Sequence, residues 1–379
     1  MKDYLQHYTM KLTALAPIHV GSGKIIGKKE YIQYGGMKSP VMIPNQEKMI
    51  RDLCLLHKES AFASFMLSDD KRASLAGWLM EQRVDKTRVQ KWISYTLDAG
   101  DAFIKPNGNG APPKEINCFC KDSYGMAYIP GSTLKGMIRT ALLVHEIKRK
   151  PEDYERILNE LDEAASRGGK RNRNSYLQTE TQRLEIQAFH TLERPETKTR
   201  DAVNSVMSGL VVGDSKPIPA EQLTLCQKID YSLERREKPL PTLREALKPG
   251  TEILFDLTID GQLFPYEMED IQEALDEFQE DCYDYFYSRF GRGRAADGTV
   301  WIGGGVGFLS KTILYSVFGE DAVRIADDVF QTTLSGKIYD QHKHQRDLSL
   351  GIAPHVCKCT RYQGRLYDMG MGKLEIVGR

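Results

Sequence analysis

The chain has 379 residues, 41% of them hydrophobic and 27% charged, which suits a globular protein with a sizeable core and excludes extended disorder. Lys+Arg and Asp+Glu both total 52, so the basic excess of a freestanding nucleic-acid binder is missing and any such surface must be a local basic face. No run is apolar and long enough to span a bilayer, the start is polar rather than a secretory signal, and seven cysteines are an odd number for a disulfide framework; a cytoplasmic location with no membrane partner is expected.

Residues 4–16 predict a first strand, with Tyr8, Met10, Leu12 and Ala14 alternating against Lys11 and Thr13. Pro17-Ile18-His19-Val20-Gly21-Ser22-Gly23 follows as a small Gly-rich turn, and short extended pieces come at 30–34 and 40–43. From 45 to about 98 the apolar period is helical, through Met49, Leu53, Leu75, Leu79, Val89 and Trp92, which reads as a helical block inserted between strands. After a Pro/Gly/Asn loop at 105–114, residues 115–121 and 125–129 predict a hairpin.

The hairpin leads into Tyr128-Ile129-Pro130-Gly131-Ser132-Thr133-Leu134-Lys135-Gly136-Met137-Ile138-Arg139: an apolar strand, a Pro-Gly turn and a helix expected to start under a Ser/Thr cap. The unpaired N–H groups of a helix start favour a phosphate. Lys135 and Arg139 share one face, Leu134, Ile138, Ala141 and Leu142 take the opposite one, and Gly136 lets another backbone come close. This helix is expected to reach about 148, and a second one to run from Pro151 through 163. A basic Gly-containing loop follows, with four cations in the seven residues 167–173.

Strands are expected at 209–213, 223–230 and 251–259. A helix over 267–288 carries Ile271, Leu275, Phe278, Cys282 and Tyr285 on one stripe, and nine acidic residues in the eighteen of 267–284. Such segregated charge suits a subunit with one RNA-facing side and one protein- or solvent-facing side. Helical spacing places most rings of Tyr283, Tyr285, Phe286, Tyr287 and Phe290 in the core, leaving Arg289, Arg292 and Arg294 as RNA candidates. Next come Trp301-Ile302-Gly303-Gly304-Gly305-Val306-Gly307-Phe308-Leu309-Ser310-Lys311 and then His342-Lys343-His344. Strands at 353–360 and 373–377 flank Met369-Gly370-Met371-Gly372. Cys118-Phe119-Cys120 and Cys357-Lys358-Cys359 invite a zinc site, but structural zinc sites space their cysteines by two to four residues. On a strand, C-x-C simply turns both thiols to one face as small hydrophobes, so no metal and no cofactor is expected.

The P-I-H-V-G-S-G turn, the I-P-G-S-T-L-K-G-x-x-R segment, the G-G-G-V-G-F-L-S-K loop and the terminal Lys358 with its M-G pattern, in this order, resemble the RAMP superfamily of CRISPR-associated RNA-binding proteins. Within it, the likeness is to the fifth-subunit family of type III-A (Csm) effector complexes. The resemblance implies an α+β chain of two ferredoxin-like (RRM-type) RAMP domains with helical insertions, taken here as 1–200 and 201–379. It implies a non-catalytic subunit that binds the 3′ region of the guide crRNA, caps the filament of backbone subunits and supports crRNA 3′-end maturation in antiviral defence. The partners it implies are the crRNA, the other Csm-complex subunits (the RAMP backbone subunit above all) and host nucleases that trim the guide.

The RNA-binding candidates are His19, Gly21, Ser22 and Gly23; Ser132, Thr133, Lys135 and Arg139; Arg292 and Arg294; Gly303, Gly304, Gly305, Gly307 and Lys311; and His342 and Lys358. Glycines admit RNA backbone and expose amides, the cations neutralise phosphates, and the histidines stack on or hydrogen-bond a nucleotide. The competing reading is a metal-independent crRNA-processing endoribonuclease, with His19, His190 or His342 as base and Lys135 or Lys311 as the cation. A third is a filament-building protein without RNA contact. The Gly-rich loop lacks the G-K-S/T ending of a P-loop.

Overall fold

The structure is a computed structural model that describes residues 4–70, 72–105, 108–167, 176–293 and 295–378. Strand β1 (Leu5–Ala14) buries Tyr8, Met10, Leu12 and Ala14 on one face, as the alternation predicts. The Gly-rich turn does not end there: β2 (Gly21–Ile26) is a strand, with Gly23 at φ +81° inside a register shift. After β3 (Val41–Pro44), the inserted block holds four short helices, α1 (Gln46–Leu55), α2 (Glu59–Leu67), α3 (Leu75–Glu81) and α4 (Lys86–Gln90). They enclose a separate core in which Phe65 stacks on Trp78 at 5.5 Å. Residues 93–97, predicted helical, form β4 (Ile93–Leu97) and pair with β3, because Ile93, Tyr95 and Leu97 alternate in a β-branched and aromatic run.

The expected hairpin closes at its tip, where Lys121 bridges Ala127 and the Tyr128 N–H donates to Cys120 at 3.1 Å, while β5 (Ile116–Phe119) in its first arm pairs with β2 and a later strand. Helices α5 (Gly131–Arg149) and α6 (Pro151–Arg167) match expectation, and α7 (Gln178–Phe189) follows. The basic loop at 167–173 lies outside the described residues from 168 onward. Strands β6 (Leu210–Val212), β7 (Leu223–Ser232), β8 (Glu237–Leu247) and β9 (Glu252–Asp260) precede the acidic helix α8 (Met268–Tyr285). Then come β10 (Thr299–Trp301), α9 (Leu314–Phe318), α10 (Ala322–Thr333), α11 (Gly336–His342) and α12 (Asp347–Leu350). β11 (Val356–Tyr362), β12 (Arg365–Asp368) and β13 (Met371–Gly378) complete the described chain.

The architecture is α+β. One sheet has the order β10-β13-β1-β9-β6 and another β12-β11-β7-β8-β5-β2, while β3 and β4 pair by themselves. Only β5 and β8 run parallel among the pairings between these strands. A boundary near residue 200 does not fall between the sheets. β1 is flanked by β13 and β9, and β5 lies beside β8, so each sheet takes strands from both sides of that point. α5 packs against β6 and α8. Part of the acidity of α8 faces inward, where Lys148 donates to Asp281 at 2.7 and 2.8 Å and His145 Nδ1 lies 3.0 Å from Glu277, while Glu267, Glu269, Glu273, Glu280 and Asp284 are exposed. No described helix is long and apolar enough to cross a membrane.

Candidate nucleic-acid interface

Three motifs distant in sequence are stitched together through their backbones. The Gly304 N–H donates to the His19 carbonyl at 2.7 Å, the Gly370 N–H to Pro17 at 2.9 Å, and the Ile302 N–H to Gly370 at 2.9 Å. A Cβ on Gly303 (φ +89°) would stand 2.3 Å from the His19 oxygen, so only glycine permits the contact. Beside this stitch, the start of α5 completes a cavity of about 430 Å³, lined by Val20, Ser132, Thr133, Gly136, Met137, Thr140, Trp301, Ile302, Gly303, Gly304 and Ser310. Gly136 is exposed, and nothing stands within 4 Å of where its Cβ would be. Trp301 is 8% exposed and stacks on Tyr287 at 4.8 Å, and its Nε1–H is a buried donor without a partner among the described residues. Trp301 heads the Gly-rich motif but is not among the sequence-derived binding candidates; nothing in the motif distinguishes it from a core aromatic.

The start of α5 differs from the expected Ser/Thr cap. Pro130 occupies the cap position, and Ser132 and Thr133 lie within the first turn without a capping hydrogen bond. The Gly131 N–H donates instead to Asp214 Oδ1 at 2.8 Å. A carboxylate therefore already takes part of the site expected for a phosphate. Neither Lys135 nor Arg139 lines the cavity. Arg139 is ion-paired with Glu185 of α7, and its guanidinium lies 5.9 Å from the Phe189 ring centre. Lys135 has no ion-pair partner among the described residues; burial, and then the neighbouring Arg139 charge, holds its pKa below the ordinary value.

His19 is not a stacking surface. It is 5% exposed, its Nδ1 donates to the Glu245 carbonyl at 2.7 Å, and the ring meets Phe119 edge-on at 6.2 Å. Burial pulls its pKa down to about 4, so the ring is neutral near pH 7, and its link to the Gly-rich loop is its backbone carbonyl. Gly21, Ser22 and Gly23 are exposed on β2, an edge strand, with Ser22 Oγ donating to the Cys118 carbonyl at 3.4 Å.

Gly305 and Gly307 face inward. A Cβ on the first would meet the Met369 sulfur at 2.8 Å, and one on the second the Lys358 side chain at 2.9 Å. Lys358 itself donates to Asp230 at 2.6 Å, its cross-strand neighbour. Arg292 donates to Asp368 at 2.8 Å and lies 5.8 Å from the Tyr231 ring centre. Both cations, expected at phosphates, are held by carboxylates. His342 is exposed at the end of α11; partial burial, then the charge of His344, holds its pKa below the ordinary value. Arg294 and the Lys311 side chain lie outside the described residues. His190, the remaining candidate base, sits at the end of α7 with Nδ1 3.0 Å from the Thr199 carbonyl. The candidate bases thus occupy separate elements.

Curated relatives align with nearly the whole chain. A protein from Mycobacterium tuberculosis (strain H37Rv), named CRISPR system Cms protein Csm5, is 27% identical over 400 residues, covering 99% of each chain. The protein of the same name from Streptococcus thermophilus is 27% identical over 326 residues, covering 84% of this chain and 83% of its own. Among solved structures, a cryo-EM structure of a Csm-crRNA-target RNA ternary complex in a type III-A CRISPR-Cas system contains a chain with the same fold. Its TM-score is 0.61 at 18% identity, covering 98% of this chain and 100% of that one. The crystal structure of T. onnurineus Csm5 gives a TM-score of 0.59 at 17% identity, covering 96% and 99%. The family model of the RAMP superfamily matches residues 11–310, and the chain belongs to that superfamily.

Proposed function

We propose that this chain is a Csm5-type, non-catalytic subunit of a type III-A CRISPR effector complex. It holds the sugar-phosphate backbone of the guide crRNA in its 3′ region, caps the filament of RAMP backbone subunits and supports 3′-end maturation by host nucleases. The observation that carries the RNA reading is the cavity where the Gly303-Gly304 loop, Val20 and the first turns of α5 meet. Its walls offer the hydroxyls of Ser132, Thr133, Thr140 and Ser310 and close backbone approach, which suits phosphate and ribose oxygens rather than base edges. Lys135, free of an ion pair among the described residues and one residue before Gly136, supplies a nearby cation.

We infer that the chain contains two ferredoxin-like units. The run β1-α5-β6-β9-α8-β13, with its strands ordered β13-β1-β9-β6, supports one ferredoxin-like RAMP unit that spans the chain. The sheet built on β7, β8 and β11 would belong to the second.

The test is binding of the full chain to a 3′-labelled guide RNA across a salt series, beside Lys135→Ala. Steep salt dependence without cleavage, with a slope lowered by about 0.7 in the variant, supports the reading. Metal-independent cleavage would replace it with the endoribonuclease, and salt-insensitive or absent binding with an assembly role alone.

A further inference from the structure

Residues 344–355 gather a group that the RNA reading leaves unused. Asp347, at the start of α12, is 0% exposed, and each of its carboxylate oxygens faces a different imidazole. His344 Nδ1 donates to Oδ2 at 2.8 Å, and His355 Nδ1 contacts Oδ1. One ring nitrogen from each histidine and a carboxylate oxygen all lie within 4.8 Å of one another. Among the described residues, the ion-pair partners of Asp347 are these two histidines, with no Lys or Arg. A wholly buried carboxylate needs hydrogen-bonded or cationic partners, and among the described residues its side-chain partners are these two imidazoles.

Two imidazole nitrogens and a carboxylate oxygen are a donor set for divalent transition metals, zinc among them. Bonds of roughly 2.0–2.2 Å put two donors of a tetrahedral ion about 3.4 Å apart, so the 2.8 Å His344–Asp347 contact opens by about 0.6 Å on binding and the shorter His355–Asp347 contact by more. We propose that His344, Asp347 and His355 bind one divalent transition-metal ion, zinc fitting best, with a water in the fourth position. The Phe330 ring lies 4.7 Å and the Tyr339 ring 5.7 Å from the His344 ring, which limits water access and fixes the ligand's orientation. The ion ties the segment that bears His342 to the beginning of the strand that bears Lys358.

A second cluster helps to discriminate. Cys357 and Cys359 place their sulfurs 3.8 and 3.6 Å from Asp368 Oδ1. That same oxygen already accepts from Arg292 at 2.8 Å, so a permanent cation stands where the ion would go. The histidine cluster has no such occupant among the described residues.

The full-length chain, stripped with a chelator, is titrated with Co2+ and with Zn2+. Bound metal is read by elemental analysis and by the cobalt spectrum, and thermal unfolding is followed in parallel. We expect one equivalent of metal, tetrahedral cobalt bands without a near-ultraviolet thiolate charge-transfer band, and a zinc-dependent rise in Tm. His344→Ala and His355→Gln should each weaken binding by more than the roughly 10–100-fold cost of losing an outer-shell partner. A Cys357→Ser/Cys359→Ser double variant should bind normally. If His344→Ala does not fold, the half-buried His355 position gives the same readout. No stoichiometric binding by the wild-type chain, or binding lost only in the cysteine variant, overturns the proposal.

Discussion

His19 shows at the scale of one residue how a motif position differs from a contact. The sequence places it inside the Gly-rich turn and so beside RNA, but the ring faces inward while its carbonyl anchors Gly304. Its depressed pKa makes a signed claim about stability. The folded state keeps the ring neutral down to about pH 4, whereas the unfolded chain protonates it near 6.5. The stability it contributes is complete above pH 6.5 and is lost as pH falls from 6.5 to 4, by about 3 kcal/mol in all. His19→Asn should therefore flatten that acid limb in urea unfolding measured against pH; an unchanged limb would mean that other groups carry it. Glu245 is the second such residue. It is 0% exposed and accepts from Tyr95 at 2.7 Å, from the Phe119 N–H at 2.6 Å and from Lys121. Removing the carboxylate leaves a mostly buried ammonium unpaired, so Glu245→Ala should cost about 3–5 kcal/mol in urea unfolding, and Glu245→Gln less. Neither fact was legible in the sequence, because both depend on partners more than a hundred residues away.

Among the elements, β1, α5, α6, α8, β9 and β13 were legible, since each carries a sustained apolar period or a clear boundary residue. β8 was not. Pro239 and Pro241 argue against a strand, but they lie before Leu243, where β5 begins to pair, so that edge of β8 needs no ladder donor from them. α7 was hidden because its apolar stripe is short, with Leu184, Ala188 and Phe189 buried. On α8, Asp270, Glu277 and Asp281 meet the basic end of α5, while Glu267, Glu269, Glu273, Glu280 and Asp284 form the exposed acidic side that the sequence predicts. That pairing is testable. Lys148→Glu sets a third carboxylate against Glu277 and Asp281 and should lower stability by about 1–3 kcal/mol in chemical unfolding, and adding Asp281→Lys should recover part of it. A double-variant loss equal to the sum of the two single-variant losses would show that the pair is not coupled.

For the whole molecule, the order of the motifs along the chain carried the family, while their meeting point became visible only in the fold. Gly303, Gly304, Ser132, Thr133 and the 19–20 backbone do converge, but Arg139, Arg292 and Lys358 are committed to carboxylates. Composition and helical spacing cannot reveal such commitments, because the carboxylates come from other elements. The proposed RNA contact therefore lies in one cavity rather than on a broad basic face. The most direct measurement is crRNA retention in the reconstituted effector complex carrying Gly136→Glu. This substitution sets a carboxylate into the cavity at a position with open space for a side chain. Assembly with the partner subunits should be unchanged, while binding of the 3′ region, read by protection or crosslinking, falls at least tenfold, about 1.4 kcal/mol. Unaltered protection of that region would contradict the placement of RNA in this cavity.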